Sequence, residues 1–164
     1  MIKKLILAAL ILSVAFGARA QMYLGGNLGL ETSSDNRIGV LIAPEIGYRL
    51  NTHLTVGGTI SYRSLQNSFG ITPYLRGDLV NIQNIVRVFI SAQAPCRFTS
   101  NYQSYGAYLR PGVTLRLVDG VWMQIHVGAF GYSYTRINGT GYGGWYAQVN
   151  SNTVNVGFCF GIGV

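Results

Sequence analysis

Within the alternating segments of this chain, charge falls on only one side of a two-residue repeat. From Ile38 the even positions run Ile38, Val40, Ile42, Pro44, Ile46, Tyr48 and Leu50, and the odd ones Gly39, Leu41, Ala43, Glu45, Gly47 and Arg49. Successive side chains of a β-strand point to opposite faces, so one face is apolar throughout and the other is small or charged. The repeat returns as Leu54, Val56, Gly58, Ile60 and Tyr62 against Thr55, Gly57, Thr59, Ser61 and Arg63. It continues as Phe69, Ile71, Pro73 and Leu75 against Gly70, Thr72, Tyr74, Arg76 and Asp78, then as Val86, Val88 and Ile90 against Arg87, Phe89 and Ser91. Next come Ala107, Leu109, Pro111, Val113 and Leu115 against Tyr108, Arg110, Gly112, Thr114 and Arg116. Val121, Met123, Ile125, Val127 and Ala129 then oppose Trp122, Gln124, His126, Gly128 and Phe130, and Val156, Phe158 and Phe160 oppose Gly157, Cys159 and Gly161. With a weaker first segment (Met22, Leu24, Leu28, Leu30 against Tyr23, Gly25, Asn27, Gly29), eight strands are expected and no segment has helical periodicity.

The connections sort into two kinds. Asn51 to His53, Val80 to Asn84 and Val118 to Gly120 are short and carry turn residues, whereas Glu31 to Arg37, Ser64 to Ser68, Thr99 to Ser104 and Arg136 to Trp145 are longer and more polar. Tight turns at one end and longer loops at the other describe an up-and-down meander. Gly139-Thr140-Gly141-Tyr142-Gly143-Gly144 lacks the Lys and following helix of a phosphate-binding loop and reads as a flexible surface loop. Pro44, Pro73 and Pro111 interrupt ladder hydrogen bonding, so bulges or register breaks are expected there.

Residues 1–20 stand apart. Lys3 and Lys4, an apolar stretch from Leu5 to Phe16, and Ala18-Arg19-Ala20 ahead of Gln21 follow the order of a secretory signal peptide, which leaves 21–164 as the folded unit. Of the 12 basic residues the leader holds Lys3, Lys4 and Arg19, so nine Arg and no Lys follow it, against five acidic residues, a net charge of +4. The Arg are spaced singly instead of clustering, which argues against nucleic-acid binding.

The facing of the strands decides the class. Only 10% of residues are charged and 49% are hydrophobic, well below the roughly one-quarter charged residues of soluble domains. A soluble eight-stranded barrel turns its apolar face inward; an outer-membrane barrel turns it to lipid and fills the lumen with polar groups. The charged face holds Glu45, Arg49, Arg76, Asp78, Arg87, Arg110, Arg116 and His126, and the opposite face is uncharged. The expected fold is therefore an all-β, eight-stranded antiparallel up-and-down transmembrane β-barrel, with Ile42, Ile46, Leu75, Val88, Val113, Ile125 and Phe158 facing lipid. Tyr48 near a short turn and Tyr62, Phe69 and Tyr105 near longer loops suit the two membrane interfaces.

The leader ending Ala18-Arg19-Ala20-Gln21, the eight alternating segments, Pro73-Tyr74-Leu75-Arg76, Arg110-Pro111-Gly112 and Asn155-Val156-Gly157-Phe158 resemble the small outer-membrane β-barrel proteins common in Bacteroidetes, a porin-like or OmpA/OmpX-like group. The resemblance spans the chain beyond the leader. It implies an outer-membrane location, contact with outer-membrane lipid, insertion by the barrel-assembly machinery, and no cofactor. The pattern departs at Val164, where such barrels often finish on an aromatic residue.

Residues for catalysis are sparse. His53 and His126 are the two histidines, and a metal site wants several His, Cys or carboxylates together. Eight-stranded lipid A deacylases use a His and a Ser two residues apart with a Glu, and at the matching spacing this chain has His126-Val127-Gly128 without the nucleophile, so His126 is expected to be a hydrogen-bonding lumen residue and the protein not an enzyme. Cys96 and Cys159 fall on opposite faces and are not expected to bridge. Glu45 and Asp78 can neutralise only part of the lumen Arg set. That leaves two arrangements, a plug made with Tyr74, Tyr108, Gln93, Gln124 and Trp122, or a narrow anion-favouring pore. The polar loops could bind an external partner. A soluble lipocalin-type ligand-binding barrel is the remaining alternative.

Overall fold

The computed structural model describes residues 22–32, 37–137, 139–149 and 155–162. The leader, Val164, residues 33–36 of the first long connection and Asn138 lie outside them. Eleven strands follow in chain order: β1 (Met22–Thr32), β2 (Ile38–Arg49), β3 (Leu54–Arg63), β4 (Ser68–Ile82), β5 (Val86–Gln93), β6 (Cys96–Phe98), β7 (Tyr102–Val118), β8 (Val121–His126), β9 (Ala129–Ile137), β10 (Thr140–Gln148) and β11 (Asn155–Ile162). Every pairing is antiparallel, and β1-β2-β3-β4-β5-β7-β8-β11 returns to β1, closing an eight-stranded barrel. No helix among the described residues is long and apolar enough to cross a membrane, which says nothing about crossing by strands.

The three extra strands prolong the ring. β6 carries β5 onward past Ala94 and Pro95, pairing with β4 and β7, and β9 carries β8 onward, pairing with β7. β10 folds back along β9, and among the described residues it pairs with β9 alone, as residues 28–32 of β1 pair with β2 alone.

The tight turns lie together at one rim. Asn51 Oδ1 accepts from His53 N and Leu54 N at 2.9 and 2.8 Å, closing the β2–β3 turn with a side chain. Gln83 and Asn84 both take positive φ (49° and 57°), with Ile85 N donating to Ile82 O, so the three-residue connection of β4 and β5 contains a primed turn, the kind that suits strand twist. The opposite rim is shorter in loop than its sequence suggests. Ser64 to Asn67 form a tight turn, β7 already begins at Tyr102, and the expected loop from Arg136 to Trp145 is mostly the β9–β10 hairpin, so the Gly139–Gly144 stretch is strand instead of flexible loop. Two of the glycines that read as loop punctuation instead accommodate neighbours: Cβ atoms at Gly141 and Gly143 would collide with the Tyr134 and Tyr132 side chains.

The prolines behave in three ways. At Pro44 the β2–β3 ladder skips Ala43 and Pro44 without any register shift, so the expected break is only a gap. Pro73 faces the interruption between β5 and β6, where Ala94 N still reaches Pro73 O at 3.0 Å. Pro111 faces the junction of β8 and β9, where the register against β7 changes by one residue and Gly128 takes φ +78°. That bulge also reverses the side-chain alternation. Ala129 therefore faces inward and is buried, and Phe130 faces outward at 53% exposure, the opposite of what an unbroken repeat predicts.

Candidate functional site

Alternation places the charged face inside the barrel. Glu45, Arg76, Gln124 and His126 are all buried, whereas Ile42, Ile46, Leu75 and Phe158 on the outside are about half exposed and Val88, Val113 and Ile125 are partly covered by neighbours. Between the rims, the outward positions of the eight ring strands carry no charged side chain.

Room for this interior comes from glycine on neighbouring strands. A Cβ at Gly47 would collide with the Tyr23 ring, one at Gly57 with the Tyr74 hydroxyl, and one at Gly112 with the Phe89 ring. Each large inward side chain thus lies over a neighbouring strand that lacks one. An eight-stranded barrel is only wide enough for its own side chains, and this exchange lets three aromatic rings enter it.

At mid-height the network is continuous. Glu45 Oε1 accepts from Tyr23 OH at 2.9 Å and from Tyr74 OH at 2.6 Å, and the two phenol oxygens also contact each other. Arg76 donates through Nη2 to the Tyr23 hydroxyl and through Nη1 to Gln124 Oε1. Because Oε1 of Gln124 is the acceptor, its amide nitrogen is the donor to Nε2 of His126 at 2.7 Å, which puts the neutral imidazole's proton on Nδ1. Cys159 Sγ adds a weak contact to Gln124 Oε1 at 3.6 Å. The Arg76 guanidinium lies 4.9 Å from the Phe89 ring centroid and 5.3 Å from that of Tyr23, a cation-π arrangement. Phe89, wholly buried, packs edge-on to His126 at 5.1 Å.

Buried ions are tolerable only when paired and hydrogen-bonded. Glu45 and Arg76 meet that condition through the shared Tyr23 hydroxyl, with Tyr74 adding a second donor to Glu45, a route that the acid and base positions alone do not reveal. Tyr23, Phe89 and Cys159 belong to this layer although only their inward parity pointed to them. Tyr108 is placed higher, packed at 5.1 Å against Tyr146, and Gln93 donates to Ser91 at 3.3 Å.

The layer separates two small cavities, and Arg76 and Gln124 lie on the walls of both. The cavity toward the loop rim, about 90 Å³, is bordered by Glu45, Arg63, Arg110 and His126, with Arg110 Nε donating to the Gly128 carbonyl at 3.4 Å. The cavity toward the tight turns, about 50 Å³, is bordered by Arg49, Arg87, Asp78, Thr114 and Trp122. There Arg49 and Asp78 are 3.9 Å apart. Arg116 sits at the rim, partly exposed, and pairs with Asp119 of the adjacent turn instead of joining the central network. Cys96 and Cys159 are both free thiols.

A search of protein-family models finds no match to this chain, and none of the curated proteins matches it.

Proposed function

We propose that this protein is an integral β-barrel of the bacterial outer membrane, exported by its leader and inserted by the barrel-assembly machinery, with a structural or surface-interaction role and no catalytic activity. The observation that carries the reading is inverted polarity: Glu45 and Arg76 are buried at mid-barrel while Ile42, Ile46, Leu75 and Phe158 face outward. In water that arrangement would leave a wide apolar surface uncovered; in lipid it is the stable one. A band of aromatic residues supports the same reading. Tyr62 pairs with Phe69, Phe69 with Phe98, and Tyr105 with Tyr134, so one level of the outer wall near the loop rim is aromatic across five strands, as at a lipid headgroup boundary. The likeness to small outer-membrane barrels of Bacteroidetes belongs with this proposal.

The polar layer favours a plug over a narrow anion-favouring pore, and the same layer disfavours a lipocalin-type barrel, which needs an apolar pocket inside. At the loop rim, the β9–β10 hairpin with exposed Tyr142 offers the surface for an external partner. Membrane fractionation with gel mobility before and after boiling tests the proposal. The protein is expected in the detergent-extracted outer-membrane fraction, migrating differently once boiled. Recovery in the soluble fraction without detergent would refute it.

A further inference from the structure

We propose that the turn-side cavity is a binding site for a small oxyanion, in the class of phosphate. Its walls hold three guanidinium groups, Arg49, Arg76 and Arg87, and a single carboxylate, Asp78. Asp78 approaches Arg49, and Arg76 is engaged by Tyr23 and Gln124, which leaves Arg87 without an acidic contact of its own at hydrogen-bond distance. Two of the buried N–H donors that lack an acceptor among the described residues, Arg87 Nε and Trp122 Nε1, belong to side chains that border this one cavity. Buried donors are nearly always satisfied, and the partly buried Arg87 guanidinium has no acidic contact of its own at hydrogen-bond distance, so the acceptor that suits this cavity carries negative charge. Water satisfies the donors but not the charge. A tetrahedral oxyanion does both, since its oxygens match the fork of an Arg and accept from an indole at the same time.

Size and access agree. A volume of about 50 Å³ takes one small ion and no chain-bearing ligand. Met22, Arg49, Arg87 and Gly161 put the cavity at the tight-turn end, below the Arg76–Gln124 layer, so the ion enters from that rim and does not cross the barrel. The site lies inside the ring and depends on the barrel interior alone, whatever surrounds the outer wall.

Calorimetric titration of the folded barrel in a neutral detergent at low salt tests the assignment, with sodium phosphate and glycerol 3-phosphate as separate titrants. Saturable single-site heat with phosphate is expected. Response to phosphate alone is expected from a cavity of this size, and equal response to glycerol 3-phosphate would place the binding outside it and overturn the assignment. Arg87→Lys keeps the charge but removes the Nε–H, and Trp122→Phe removes the indole donor; each is expected to weaken binding about tenfold, the effect of losing one charge-assisted hydrogen bond. Arg110→Lys, in the other cavity, is expected to bind as the parent does. Heat-modifiable mobility of each variant verifies folding. No saturable heat with the parent, or equal binding by all three variants, would overturn the proposal.

Discussion

At the scale of single residues, the interior is held by a few groups whose loss is unequal. Arg76 is 7% exposed and Glu45 equally so, and they communicate through Tyr23. Removing one member of a buried charged pair costs about 3–5 kcal/mol, because the other is left uncompensated. Arg76→Met and Glu45→Gln are therefore each expected to destabilise the barrel by about that amount, and the double variant by about 0.5–3 kcal/mol less than the two together. Denaturant unfolding in detergent measures all three, and strict additivity would separate the two groups. Packing sets a second test. Gly112→Ala presses a methyl group against the Phe89 ring and the Ile125 carbonyl, and the expected loss is about 1–3 kcal/mol by overpacking, read as a lowered unfolding midpoint. How far such residues were legible follows from parity. The inward placement of Glu45, Arg76 and His126 is written in the two-residue repeat. That Tyr23 bridges the charges and Tyr74 donates to Glu45 is not, because it depends on Gly47 and Gly57 of neighbouring strands vacating the space their rings enter.

At the scale of elements, the repeat located the ring strands and failed where the backbone departs from regular pleating. Gly128 is the clearest instance. Its φ of +78° introduces a bulge that turns Ala129 inward and Phe130 outward, and nothing in an alternating apolar run marks where such a reversal falls. Pro111, on the facing strand, supplied half of the signal, since a strand without an N–H at that position suits a neighbour whose ladder is broken there. The β9–β10 hairpin was missed for a related reason: glycine spacing that denotes a loop in an isolated stretch serves here to seat Tyr132 and Tyr134. Gly128→Ala must adopt a left-handed conformation with its Cβ 3.0 Å from the Gln148 carbonyl oxygen. It is expected to lose about 1–3 kcal/mol and to increase hydrogen exchange in β9 and β10 more than in β2 and β3. Uniform exchange across the barrel would argue against a local role for the bulge.

At the scale of the whole molecule, two properties follow from one asymmetry of polarity. Inside, the layer joining Glu45, Tyr23, Arg76 and Gln124 divides the lumen into cavities of about 50 and 90 Å³. Planar bilayers containing the parent protein are expected to show no conductance steps above background; discrete anion-selective steps would mean that the layer opens. Outside, the wall is uncharged between the rims, and its surroundings determine what a charge placed there costs. Leu75 lies midway along β4 and is half exposed, and Ile82 ends the same strand beside a tight turn. In phospholipid vesicles, Leu75→Arg is expected to destabilise the folded barrel by about 2–4 kcal/mol and Ile82→Arg by about 0–1 kcal/mol, the depth dependence of a hydrocarbon slab. Equal and small effects at both positions, within about 0.5 kcal/mol as for an ordinary wetted surface, would contradict a lipid-facing wall.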